Sequence, residues 1–237
     1  SDVLVPSYGM AESVLATTIA QQPAPAGPLN FGRVRTLPPD DTGAPLVSCG
    51  PPIDGMCVRV VESGGAEVGD GVIGEIEISG PSVMAGYLAP DGAVVRPPGG
   101  WHDTGDRGLI CAGELFVVGR SKEMLIVRGR NLPPYDVEQV IGALPQVGPG
   151  QVVVFSVPDD GRGRESLVAV VATGAAYPDQ RRQIVADVST RVRENFGFSL
   201  DDVALVPKTA IPRTTSGKIQ RLKARDSYLA GELPPSL

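Results

Sequence analysis

The sequence predicts an α+β protein. A small antiparallel, β-barrel-like or sandwich-like portion spans residues 1–119, and a compact α+β unit spans 120–237. Three observations predict this. Glu75-Ile76-Glu77-Ile78 alternates strictly, which is the period of a half-buried antiparallel strand, and Gly-rich turns lie on its N-terminal side. After Gly119, apolar strand-like runs begin to alternate with helix-periodic segments. The charge changes with the pattern. Residues 1–119 carry 5 Arg and no Lys against 14 Asp and Glu, a net of −9. Residues 120–237 carry 16 Lys and Arg against 13 Asp and Glu, a net of +3.

Residues 1–20 offer a short apolar strand at Val3-Leu4-Val5, a Tyr-Gly turn, and a short helix or extended run. The Pro/Gly/Asp-rich stretch 21–56 holds one strand candidate at 45–49. Strands follow at 57–62 and 74–79, joined by glycine turns, and a hairpin over 109–111 and 114–118 turns at Ala112-Gly113. Beyond Gly119 the expected elements are a strand at 124–128, a helix over 134–144 with Pro at its start, and buried strands at 151–157 and 166–173. Ile184, Val188, Val192 and Phe196, spaced by four, mark an amphipathic helix over 179–196. A strand at 203–206 and a helix over 218–229 complete the order.

At 42% hydrophobic and 20% charged, 237 residues can form one large core or two modest ones. Three cysteines, Cys49, Cys57 and Cys111, lack Cys-x-x-Cys spacing, so reduced core-filling thiols and a cytoplasmic setting are expected. No apolar run reaches bilayer-spanning length, no signal peptide is visible, and the +3 portion is too weakly basic to suggest nucleic acid. The single histidine, His102, is expected in a partly exposed loop. It lacks the Gly-x-Ser-x-Gly elbow that would make it a triad base, and nothing has metal-cage spacing.

Near the C-terminus, Pro212-Arg213-Thr214-Thr215-Ser216-Gly217-Lys218-Ile219-Gln220-Arg221 presents a lysine on a Thr/Ser/Gly turn. A phosphate-binding P-loop would need Gly where Pro212 stands and Ser or Thr where Ile219 stands, so that reading fails. Two remain from the segment alone: a solvated turn lysine, or a point charge that follows charge developing in a reaction.

Other segments decide between them. Tyr8-Gly9-Met10-Ala11-Glu12, Gly74-Glu75-Ile76 leading to Gly86-Tyr87-Leu88, Trp101-His102-Asp103-Thr104-Gly105-Asp106, Gly113-Glu114-Leu115-Phe116-Val117-Val118-Gly119-Arg120-Ser121-Lys122, and the Lys218 segment occur in that order. Their order and spacing resemble the C-terminal part of the adenylate-forming superfamily: acyl and aryl CoA ligases, adenylation domains and luciferases. Leu125-Ile126-Val127-Arg128-Gly129-Arg130-Asn131, Pro45-Leu46-Val47-Ser48-Cys49-Gly50 and 213–221 resemble its fatty acyl-AMP ligase branch, which loads acyl groups onto carrier proteins. So does the long 21–56 segment, where that branch carries an insertion linked to loss of CoA use.

The resemblance implies that a fatty acid carboxylate is joined to the α-phosphate of ATP, with Mg²⁺, and that residues 120–237 form a mobile lid domain. Lys218 is then the catalytic cation. Asp106 accepts the ribose hydroxyls beside Arg120, with a turn-capping aspartate and a surface ion pair as the plain alternatives. Tyr8 lies against adenine, Gly9 permits close backbone approach, and Glu12 helps hold Mg²⁺. Ala11 replaces the Thr usual before that glutamate, a departure the acyl-AMP ligase branch tolerates. Lys122 is the hinge, followed by Glu123 where the branch more often has Asp. Gly129 faces the incoming thiol, or is a plain hairpin glycine.

The resemblance also implies a preceding N-terminal part that holds the ATP phosphate loop and most of the acyl pocket. The expectation is that the 237 residues alone do not form acyl-adenylate usefully. Transfer to CoA instead of an acyl carrier protein, and a non-catalytic module docking a carrier protein or other partner, are the alternatives.

Overall fold

The computed structural model describes residues 5–20, 36–37, 46–127, 129–158, 165–175 and 177–234. The chain divides into two compact units between Lys122 and Glu123. Val3 and Leu4, and most of the 21–56 segment, lie outside the described residues.

In the first unit, β1 (Ser7–Tyr8) pairs with β2 (Thr18–Ile19), and β3 (Thr36–Leu37) with β4 (Leu46–Val47). A sheet follows from β5 (Cys57–Val61) and β6 (Gly74–Ser79). The hairpin of β7 (Tyr87–Leu88) and β8 (Val94–Val95) precedes β9 (His102–Cys111) and β10 (Glu114–Arg120). The sheet is antiparallel throughout, in the order β10-β9-β6-β5. It is an open sheet, and no closed barrel forms among the described residues.

The alternation in β6 sorts its faces. Ile76 and Ile78 are fully buried with Leu115, while Glu75 and Glu77 point outward to Arg107 and Arg59 on the flanking strands. Each buried isoleucine contributes about 1.5–3 kcal/mol, and cross-strand opposite charges add a little more. β9 is longer than the sequence predicts. His102 is therefore buried at the start of a strand rather than in a partly exposed loop, and its ring lies 6.1 Å from that of Tyr87. The cysteines are free as expected, but they are not all core fillers, for Cys57 is exposed.

The second unit opens with the hairpin of β11 (Leu125–Val127) and β12 (Arg130–Leu132), then α1 (Pro134–Gly142). β13 (Val152–Pro158) pairs antiparallel with β14 (Glu165–Ala172). α2 (Pro178–Phe196) then crosses over to β15 (Asp202–Val206), which pairs parallel to β14, and α3 (Arg221–Leu229) ends the order. Successive residues of β13 face opposite ways, so a continuous apolar run means burial on both faces. Val152 and Val154 meet Val137, Ile141, Ile184, Val188 and Val192. Val153, Phe155 and Val157 meet Val206, Ile211 and Ala224. The helix expected from 218 begins only at Arg221, because Arg213 and Ile219 close an antiparallel bridge around the lysine turn. Among the described residues no helix is long and apolar enough to cross a membrane.

Candidate active site

In the first unit, the hydrogen-bonded network of the sheet holds one carboxylate between a phenol and a guanidinium. Asp106 lies in β9 directly across from Arg120 in β10, and Arg120 Nε sits 3.2 Å from Asp106 Oδ1. Tyr8 reaches the same carboxylate from β1, donating its hydroxyl to Oδ2 at 2.8 Å. Asp106 is 7% exposed, whereas the Arg120 side chain is 63% exposed. Thr104 supports the strand from inside: its hydroxyl donates to Ile76 O at 2.8 Å and accepts from Asp106 N at 3.1 Å. Burial is the main reason the Tyr8 phenol is pushed well above its ordinary range, and the Asp106 charge adds to it. The Tyr8 ring packs against the cluster of Ile76, Ile78 and Leu115.

Gly9 follows Tyr8 because a side chain would not fit. A Cβ there would lie 1.9 Å from Leu15 O. That carbonyl is brought in by a tight reversal in which Leu15 N donates to Ser13 O at 3.0 Å around Val14, whose φ is 72° and ψ −54°. A β-branched residue in this conformation stores about 1–3 kcal/mol of strain. Glu12 lies just before it, in the 3₁₀ turn Ala11–Ser13, and accepts a hydrogen bond from Tyr87 Oη at 3.2 Å. Tyr8, Asp106 and Arg120 are thus brought together, while Glu12 has a separate partner.

In the second unit, Lys218 is exposed on a turn that its neighbours fix. Thr214 N donates to Lys218 O at 2.8 Å, Lys218 N donates to Thr214 Oγ1 at 3.0 Å, and Gly217 N donates to Thr214 O at 2.9 Å. Arg213 braces the turn, donating from Nη1 to Gly217 O at 3.0 Å and from Nη2 to Gly150 O. The backbone is thereby held while the Lys218 ammonium makes no bond among the described residues. Gly129, with φ 78°, sits in the exposed turn between β11 and β12, a conformation that suits glycine whatever its function. Lys122 is exposed at the junction of the units.

Two family models match this chain: AMP-binding enzyme over residues 2–88, and the AMP domain of Disco-interacting protein 2-like proteins over 122–236. The chain belongs to the AMP-binding enzyme family. It is 33% identical to a fatty-acid–CoA ligase named fadD21 from Mycobacterium leprae, an alignment covering 96% of this chain and 43% of that protein. It is 34% identical to the long-chain-fatty-acid–AMP ligase FadD26 of Mycobacterium tuberculosis, over 94% of this chain and 42% of the relative. Among solved structures it resembles a fatty acyl-adenylate ligase from a study of the E. coli and L. pneumophila enzymes. The TM-score is 0.80 at 28% identity, over 96% of this chain and 42% of that one. The adenylation and carrier-protein structure of McyG with phenylalanyl-adenylate gives a TM-score of 0.77 at 27% identity, over 96% of this chain and 39% of that one. The chain therefore spans about two fifths of the length of these relatives.

Two residues of this AMP-binding chain acquire a place that the sequence did not assign them. Arg221 Nη2 lies 2.8 and 2.9 Å from the two carboxylate oxygens of Glu138, and Arg221 Nη1 pairs with Glu123. The Glu138 side chain is only 9% exposed and also accepts from Val154 N at 2.8 Å. Burial pushes its carboxyl up, and the Arg221 guanidinium opposes this. A signal existed: Glu138 falls on the stripe of α1 shared by Pro134, Val137 and Ile141, where a carboxylate demands a buried partner.

Proposed function

We propose that this chain supplies the ribose-holding pair and the catalytic cation of a fatty acyl-AMP ligase. The observation that carries the reading is the Asp106 carboxylate, buried between Tyr8 and Arg120 in a member of the AMP-binding family. The residues present fit ATP. A carboxylate has lone pairs to accept a vicinal diol, and the exposed Arg120 side chain can shift to make room. The fatty acid carboxylate attacks the α-phosphorus and pyrophosphate leaves. Lys218 offsets the negative charge that crowds there in the transition state. Among the described residues no cluster of three or more acidic, histidine or cysteine side chains could cage a metal. A lone Glu12 suits Mg²⁺ that is held mostly by phosphates and water; that ion would neutralise phosphate charge. Lys122 is the hinge that exchanges adenylating and transferring arrangements, and the Gly129 turn faces the thiol that attacks the acyl carbonyl, releasing AMP.

The name of the fadD21 relative favours a second acceptor, CoA, over a carrier-protein phosphopantetheine. One fusion tests both readings: this chain joined behind the preceding portion of FadD26. Fatty-acid-dependent ATP–pyrophosphate exchange is expected, followed by acylation of a phosphopantetheinylated carrier protein. Acylation of CoA alone would transfer the protein to the second reading, and absence of exchange in a soluble fusion would overturn both.

A further inference from the structure

The boundary between Lys122 and Glu123 falls inside one short turn, Ser121–Glu123, and its three side chains are treated differently. Ser121 Oγ donates to Glu75 Oε2, while Glu75 Oε1 accepts from Arg107 Nη1 at 3.0 Å, so this residue is fastened to the four-stranded sheet. Glu123 accepts from Arg221 Nη1, and the same guanidinium is locked by Glu138 against α1. Lys122, between them, is exposed and makes no side-chain bond among the described residues.

We propose that Glu75 and Arg221 are positioning residues that clamp Ser121 and Glu123 to their own units, concentrating relative motion of the units in the backbone torsions of Lys122. This rests on the reading of Lys122 as the hinge. Each freely rotating residue contributes two soft torsions. With Ser121 and Glu123 loose, the connection has three such residues and a broad set of unit orientations. With both clamped, one residue's φ and ψ carry the change, which suits interconversion between discrete arrangements. Arg221 has a second consequence. It lies three residues beyond Lys218, so the side chain that clamps the joint also anchors the C-terminal side of the lysine turn. Rotation at Lys122 then carries Lys218 as part of a rigid body, which preserves the alignment that a positioned cation needs.

The test is a spin-label distance distribution across the joint in the 237-residue chain, labelled at Cys57 and at Glu194→Cys, with Cys49 and Cys111 changed to Ser. Glu123→Ala and Ser121→Ala are each expected to widen the distribution about twofold, while thermal unfolding of both units stays unchanged. Glu123→Gln, which can still accept from Arg221, is expected to restore the narrow distribution. Unchanged widths in both alanine variants would overturn the proposal, as would widening that merely follows a lowered unfolding midpoint. The measurement needs neither ATP nor acid, so it stands apart from the adenylation reading. In the FadD26 fusion, Glu123→Ala is expected to keep acyl-AMP formation within about twofold and to slow thioester formation about tenfold. Equal losses in both steps would count against the clamp. A wild-type fusion without exchange would count against the adenylation reading alone.

Discussion

The Asp106 carboxylate is strand-borne and buried, with a phenol and a guanidinium on its two oxygens. The Lys218 ammonium stands exposed on a turn, and among the described residues its residue bonds through the backbone alone. One group is built into its unit and the other is only presented by its unit. A residue that orients a bound ligand gains from a geometry fixed beforehand. If Lys218 is the catalytic cation proposed above, it has to leave its head group unspent and rely on a stiff backbone beneath it.

The sharpest way to break this contrast is to remove each side chain in the FadD26 fusion and in the 237-residue chain. Lys218→Ala is expected to cut acyl-AMP formation by about 10²–10³-fold and to leave the unfolding midpoint where it was. Asp106→Ala is expected to affect both properties. It leaves the half-buried Tyr8 hydroxyl without this acceptor, costing the first unit about 1–3 kcal/mol, and it weakens ATP binding. Chemical denaturation of the chain and ATP–pyrophosphate exchange of the fusion give the two readouts. A large stability loss from Lys218→Ala, or none from Asp106→Ala, would end the distinction.

A smaller effect sharpens the same comparison from the backbone side. Gly9→Ala pushes a methyl group against Leu15 O, and the strained reversal at Val14 leaves the loop little room to yield. The expected cost is about 1–3 kcal/mol in the first unit, read as a lowered denaturation midpoint with the second unit unaffected. Wild-type stability in this variant would mean that the loop rearranges at no cost, and that Tyr8 is not held by it.

Legibility in the sequence follows the same division. Ile76 and Ile78 declare their face by period, and the apolar run of β13 declares burial on both sides. The reach of β9 was hidden because Asp103, Thr104, Gly105 and Asp106 have turn composition; pairing with β6 and β10 overrides that local preference. The start of α3 was hidden for the opposite reason, since a tertiary bridge between Arg213 and Ile219 withholds three residues from the helix. Asp106 and Arg120 could be singled out through ordered family motifs. The bond from Arg221 to Glu138 joins residues 83 apart, and nothing local in either segment names its partner.

The smallest effect concerns α3, the element that follows the Lys218 turn. Tyr228 donates to Asp202 Oδ2 at 2.7 Å and sits edge-on to Phe155, ring centroids 5.8 Å apart. Burial first, and then the Asp202 carboxylate, raise its phenol from 10.0 to about 12. A folded pKa above the unfolded value means that the contribution is complete below pH 10.0 and is lost as pH climbs through about 12, because the unfolded chain ionises first. Tyr228→Phe is expected to be weaker than wild type by about 0.5–1.5 kcal/mol at neutral pH, with the difference closing across that alkaline window. The difference between the two denaturation curves isolates Tyr228 from every other group titrating there. Curves that stay parallel through the window would show that α3 is not held by this hydrogen bond, and would leave the packing of Ala224 and Tyr228 on β13 as what fixes the C-terminal side of the Lys218 turn.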